Sequence, residues 1–161
     1  MRCTFQTRAT VACAVAAAVL LPGVARATPP IVTNGTVTAS NVFGCGSFSI
    51  LFDEHNDWTE HDFYDQDGTF VRAITKVTAT DTDANLSTGE SIDLRSSYTV
   101  IDYADGSEAI SGLFWMANDP GHGHVIQDVG RILYAPDGSV VLRGPHEVLA
   151  SNEGVFCTAV S

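Results

Sequence analysis

Residues 91–103 read Ser-Ile-Asp-Leu-Arg-Ser-Ser-Tyr-Thr-Val-Ile-Asp-Tyr. Ile92, Leu94, Tyr98 and Val100 alternate with Asp93, Arg95, Ser97 and Thr99, the period of two of a strand with one face buried and one face wet. Val71, Ala73, Val77 and Ala79 repeat the period upstream, and Val125, Val129 and Leu133 repeat it downstream. No window sustains the i, i+3, i+4, i+7 apolar stripe of an amphipathic helix. The chain is expected to be all-β with almost no helix.

Working outward, the punctuation supports this. Asp67-Gly68, Asp105-Gly106 and Asp137-Gly138 each precede a strand-like run, and Asp-Gly suits turns that need a positive φ. Strands are predicted near 46–53, 58–64, 69–80, 91–103, 108–117, 124–135, 139–144 and 146–150, with a last one at 154–159. Strands joined in order by short turns form an antiparallel meander. About eight of them in one small domain are expected to close into a barrel, which removes the sheet edges. The predicted domain is 45–161, preceded by an extended N-terminal arm over 28–44.

The first 27 residues carry Arg2 and Arg8, an apolar run from Val11 to Leu21, and Ala25-Arg26-Ala27. That is the layout of a secretory signal peptide, too short for a membrane span, so the protein is expected to be exported without a membrane anchor. Its removal would leave five basic residues against nineteen acidic ones, a net charge of −14. Such a surface repels nucleic acid phosphates and anionic lipids, which excludes those partners. Of the four cysteines, only Cys45 and Cys157 would remain, and in an oxidising compartment they are expected to form one disulfide.

Four segments carry a family resemblance: Asp67-Gly68-Thr69-Phe70, Thr88-Gly89-Glu90-Ser91, Gln127-Asp128-Val129-Gly130-Arg131-Ile132 and Arg143-Gly144-Pro145-His146. Over residues 45–157 the chain resembles small secreted actinobacterial proteins, and its layout is similar to antiparallel barrels of the allene oxide cyclase and dirigent type. The resemblance implies a compact barrel, and none of the four segments specifies a chemistry.

Several clusters could carry function. Asp53 to Asp67 contains seven carboxylates together with His55 and His61. Asp65-Gln66-Asp67-Gly68 imitates the centre of a calcium loop, but Phe63 would take the first ligand position and Ile74 the closing one. His122 and His124 lie two apart in a loop and could chelate a metal if His55 or His61 came near. The weak metal candidates are therefore His55, His61, Asp65, Asp67, His122 and His124, set against a solvated acidic hairpin and polar loop. Arg72, Lys76, Arg95, Arg131 and Arg143 all fall inside predicted strands. Arg131 shares parity with Val125, Gln127, Val129 and Leu133, so it faces either a polar lumen or an outer salt-bridge ladder. No nucleophile elbow, H-E-x-x-H or phosphate loop is present, and His146-Glu147 reads as the end of a strand.

The expected role is a barrel that binds a small apolar or anionic molecule, with Arg131, Gln127, Tyr98, Phe114 and Met116 as ligand-binding residues and no cofactor. The alternatives are an interaction protein with a filled core and acidic exterior, and, on fold analogy alone, a cyclase- or isomerase-type enzyme with no assignable catalytic residue.

Overall fold

The computed structural model describes residues 28–119, 123–148 and 154–161; the expected signal peptide and His122 lie outside them. Seven strands succeed one another along the chain: β1 (Ile31–Gly44), β2 (Ser49–Tyr64), β3 (Phe70–Asn85), β4 (Ser91–Tyr103), β5 (Glu108–Asp119), β6 (Gly123–Tyr134) and β7 (Val140–Arg143). Each pairs antiparallel with the next, so the sheet order is the chain order. A short helix, α1 (Gly154–Ala159), follows. The all-β meander is as predicted.

The three Asp-Gly hairpins share one design. The backbone N–H of Asp65, Tyr103 and Ala135 donates across a turn to the carbonyl of Thr69, Ser107 and Ser139, and their own carbonyls accept from Gly68, Gly106 and Gly138. Gly68, Gly106 and Gly138 occupy the left-handed position at φ 80°, 84° and 82°. Aspartate carboxylates tie the turns: Asp65 Oδ1 accepts from Thr69 N at 2.8 Å, while Asp105 and Asp137 accept from Ser107 N and Ser139 N at 2.9 Å. This is the three-residue hairpin loop in which an αL glycine closes the turn.

Other elements depart from expectation. The 28–44 arm is extended, but from Ile31 to Gly44 it pairs with β2 along its whole length. The strands predicted at 46–53 and 58–64 are one sixteen-residue strand. The strand expected at 154–159 is helix α1, because Phe156 and Val160, four residues apart, both bury on one side of it. Nor does the sheet close: β1 and β7 remain its edges. β7 stops after four residues, where Gly144 (φ 109°) and Pro145, which has no N–H, interrupt the ladder. Pairing resumes for one step at Asp128 and His146.

The core lies at one end of the inner wall. Ile50, Ile92, Leu94, Ala117 and Ile126 pack with Val148, Phe156 and Val160, so α1 plugs that end. Asn85 Nδ2 donates to Val160 O at 3.0 Å, and Cys45–Cys157 bonds the β1–β2 turn to the helix across 112 residues of chain. The chain-entropy model assigns such a closure about 4–5 kcal/mol. The bond fits an oxidising compartment. No helix among the described residues is long and apolar enough to cross a membrane.

Candidate functional site: an acidic, aromatic cleft on the inner wall

Strand register decides which side chains face inward. Opposite one another across the sheet lie Glu54, Asp81 and Leu94, and, one step up, Asn56, Ala79 and Ser96. Above these come Trp58, Val77, Tyr98, Gly112 and Gly130. At the far end Asp62, Ala73, Asp102, Glu108 and Tyr134 form one row. The sheet curls enough that Glu54 of β2 faces β5 and β6 across a cleft of about 250 Å³, whose other walls are Ser96, Tyr98, Ile110, Phe114, Trp115, Ile132 and Tyr134. A wider hollow of about 470 Å³ also exists. Exposed residues such as Ser40, Asp53, His55 and Thr80 line it, so it is a surface depression and buries little of any ligand.

A β-bulge builds the aromatic wall. The β4–β5 and β5–β6 registers shift around Phe114, so Phe114 and Trp115 both serve the inner wall where strict alternation would allow one. The Ser96 hydroxyl donates to the Phe114 carbonyl, satisfying a backbone acceptor that the bulge frees from the ladder. Phe114 stacks on Tyr98 at 5.8 Å between centroids and 26° between planes. Trp115 meets Phe156 edge-on at 6.0 Å, joining the cleft to the plugged core.

Carboxylates crowd this wall. Glu54, Glu60, Asp62, Asp81, Asp83, Asp102, Glu108 and Asp128 all lie on inward register positions, and none is exposed. Burial, and secondarily the charge of Glu54, raises Asp81 to about 6. Burial, and then the charge of Asp81, raises Asp83 to about 7. Burial also raises the Tyr98 phenol, with Glu54 and Asp81 adding to it. Glu108 is raised by burial and by Asp102 opposite.

A second buried arrangement sits beside the cleft. His146 Nδ1 lies 2.9 Å from Asp128 Oδ1, and Val148 N donates to Asp128 Oδ2 at 2.9 Å. The imidazole lies 5.6 Å from the Phe114 ring and covers Gly130, where a Cβ would approach Nε2 to 2.8 Å. His146 therefore does more than end a strand: its ring is held by a buried aspartate.

Of the five predicted ligand-binding residues, Tyr98 and Phe114 line the cleft. Gln127 and Arg131 are exposed on the outer wall, because the inward positions of β6 are Ile126, Asp128, Gly130 and Ile132. Met116 lies opposite Arg95 and Gln127, also outside, because the bulge reverses the parity that it would share with Phe114. Arg131 thus lies on the outer wall, where its register partners are Ser111 and Arg143 rather than the carboxylate of a salt-bridge ladder. Asp65 and Asp67 are exposed turn residues. His55 and His61 lie on outward register positions six residues apart, roughly 20 Å along a strand, and His55 makes an exposed contact of 3.7 Å with Asp57. The side chain of His124 is outside the described residues. Among those described, no three His, Cys, Asp or Glu side chains converge as a metal site.

Comparison of the chain with protein-family models, curated proteins and solved structures found no match.

Proposed function

We propose that this protein is a small-molecule binding module whose ligand lies in the inner cleft. The observation that carries the reading is the cleft itself: a concavity of about 250 Å³ with an aromatic wall of Tyr98, Phe114 and Trp115, apolar sides of Ile110 and Ile132, and a carboxylate, Glu54, at one margin. Pockets for drug-sized ligands run roughly 300–1,000 Å³, so the occupant is smaller, about the size of one substituted ring. In this reading the curled sheet acts as the wall of a barrel-like cup, as in the allene oxide cyclase and dirigent-type barrels that the sequence resembles, and the protein works after export. The anionic option loses its support, because Arg131 faces away from the cleft.

Native mass spectrometry of gently purified protein tests the reading. The expected result is an organic adduct that leaves on denaturation and is missing from Ile132→Phe, which fills the cleft. An adduct retained at full occupancy by Ile132→Phe would place the ligand elsewhere and overturn the assignment.

A further inference from the structure

We propose that the cleft is selective for an organic cation, a protonated amine or guanidinium on a flat apolar body, with its charge toward Glu54 and Asp81 and its body against Tyr98, Phe114 and Trp115. This rests on the binding role proposed above and names the ligand class.

Charge is segregated between the two faces of the sheet. Arg72, Lys76, Arg95, Arg131 and Arg143 are every lysine and arginine among the described residues, and all five are exposed. The inner wall beside the cleft holds Glu54, Asp81 and Asp83 with no cation among them. Acids of one sign gathered on a concave wall repel one another, so the arrangement favours either retention of protons by Asp81 and Asp83 or the entry of something positive.

Independently of the charge count, buried hydrogen-bonding groups on this wall go unmet. Asp81 Oδ1, both carboxyl oxygens of Asp83 and Asn56 Oδ1 are buried without a partner, and Asp81 and Asp83 are only 4% and 0% exposed. The amide oxygen accepts, and so do the carboxylate oxygens once Asp81 and Asp83 have lost their protons. Buried acceptors left unmatched are strongly unfavourable, and they call for donors from outside the chain. The nearby Ser96 hydroxyl is already committed to the Phe114 carbonyl. Asp81 is the direct cross-strand neighbour of Glu54, which lines the cleft, so the nearest of the unmatched acceptors stands one strand behind the cleft's acidic margin.

The surroundings of the acids narrow the kind of cation. No three metal-ligating side chains converge among the described residues, which points away from an inorganic ion. The stacked Tyr98–Phe114 pair and the adjoining Trp115 present aromatic surface of the kind that favours a flat body and attracts an adjacent positive charge.

A matched series separates the ligand class from the binding role. 2-Phenylethylamine, 2-phenylethanol and 3-phenylpropionate share one ring and differ in charge. In isothermal titrations the amine is expected to bind at least about tenfold more tightly than the alcohol, the range of one charge-assisted hydrogen bond, and the carboxylate more weakly than either. Glu54→Gln and Asp81→Asn should each remove most of the amine's advantage and weaken the alcohol far less, so that the amine-to-alcohol affinity ratio falls towards one. Glu54 is half-buried, so Glu54→Gln keeps the test alive if Asp81→Asn fails to fold. Equal binding of amine and alcohol, unaltered in Glu54→Gln, would overturn the cation assignment and leave the binding role standing. Binding of none of the three would overturn the binding role as well.

Discussion

The two ends of the inner wall are built from the same strands and differ in what fills them. At one end Ile50, Leu94 and Ile126 are almost wholly buried beneath α1, and Cys45–Cys157 fastens the helix there. At the other, Tyr98 on β4 and Ile110 on β5 are only half-buried and border an open cleft. A filled core supports stability and excludes ligands, whereas an unfilled stretch of apolar wall stabilises less and can take up a small molecule. The position of one six-residue helix therefore separates the part that holds the protein together from the part available for binding.

The largest effect expected from that difference is on the plugged end. Cys45→Ser should lower unfolding free energy by about 4–5 kcal/mol under oxidising conditions, with native strain able to reduce this; an unchanged denaturation midpoint would detach the bond from stability. Ile126→Ala should follow at about 2–5 kcal/mol, and Ile110→Ala in the cleft should fall well below it. Comparable losses at the two positions would erase the contrast. Gly130→Ala should lose about 1–3 kcal/mol, because its Cβ would meet the Arg143 carbonyl and the His146 ring at a φ of 157° that disfavours side chains.

Acidity sharpens the contrast from the other side. Asp81 and Asp83 keep their protons to about 6 and about 7, whereas an unfolded aspartate releases its proton near 3.9. Between those values the native state binds more protons than the unfolded one, so stability is highest on the acid side and falls as pH rises from about 4 to about 7. The slope should be on the order of 1 kcal/mol per pH unit. Asp83→Asn should flatten it; a slope of opposite sign would contradict the buried, unmatched carboxyls. The smallest effect is on the outer wall, where Arg131→Met should shift stability by less than about 1 kcal/mol.

How far the sequence discloses this depends on the element. Alternation located β3 to β6, and the Asp-Gly pairs located the three hairpins, because both signals come from local backbone chemistry. β1 was harder to see: its inward positions include Gly35 and Ala39, small residues that blur the apolar period. Gly35 is small because the Trp58 ring lies against it, within 2.8 Å of where a Cβ would stand. On β6 both faces are apolar, with Val129 and Leu133 outward and Ile126 and Ile132 inward, so parity could not choose between them. Asp81 and Asp83 fell beyond the predicted end of their strand at 80. The usable signal was their shared parity with Ala79, but aspartates two apart usually read as a wet face. The bulge at Phe114 has no local signature in the chain, and it is what turns Trp115 inward and Met116 outward.

Methyl-resolved NMR during titration with 2-phenylethanol tests the division of the inner wall most directly. The account predicts saturable shifts at Ile110 and Ile132 in the cleft, with Ile50 and Ile126 under the helix left unmoved. Shifts of equal size at all four isoleucines, or confined to Ile50 and Ile126, would contradict it.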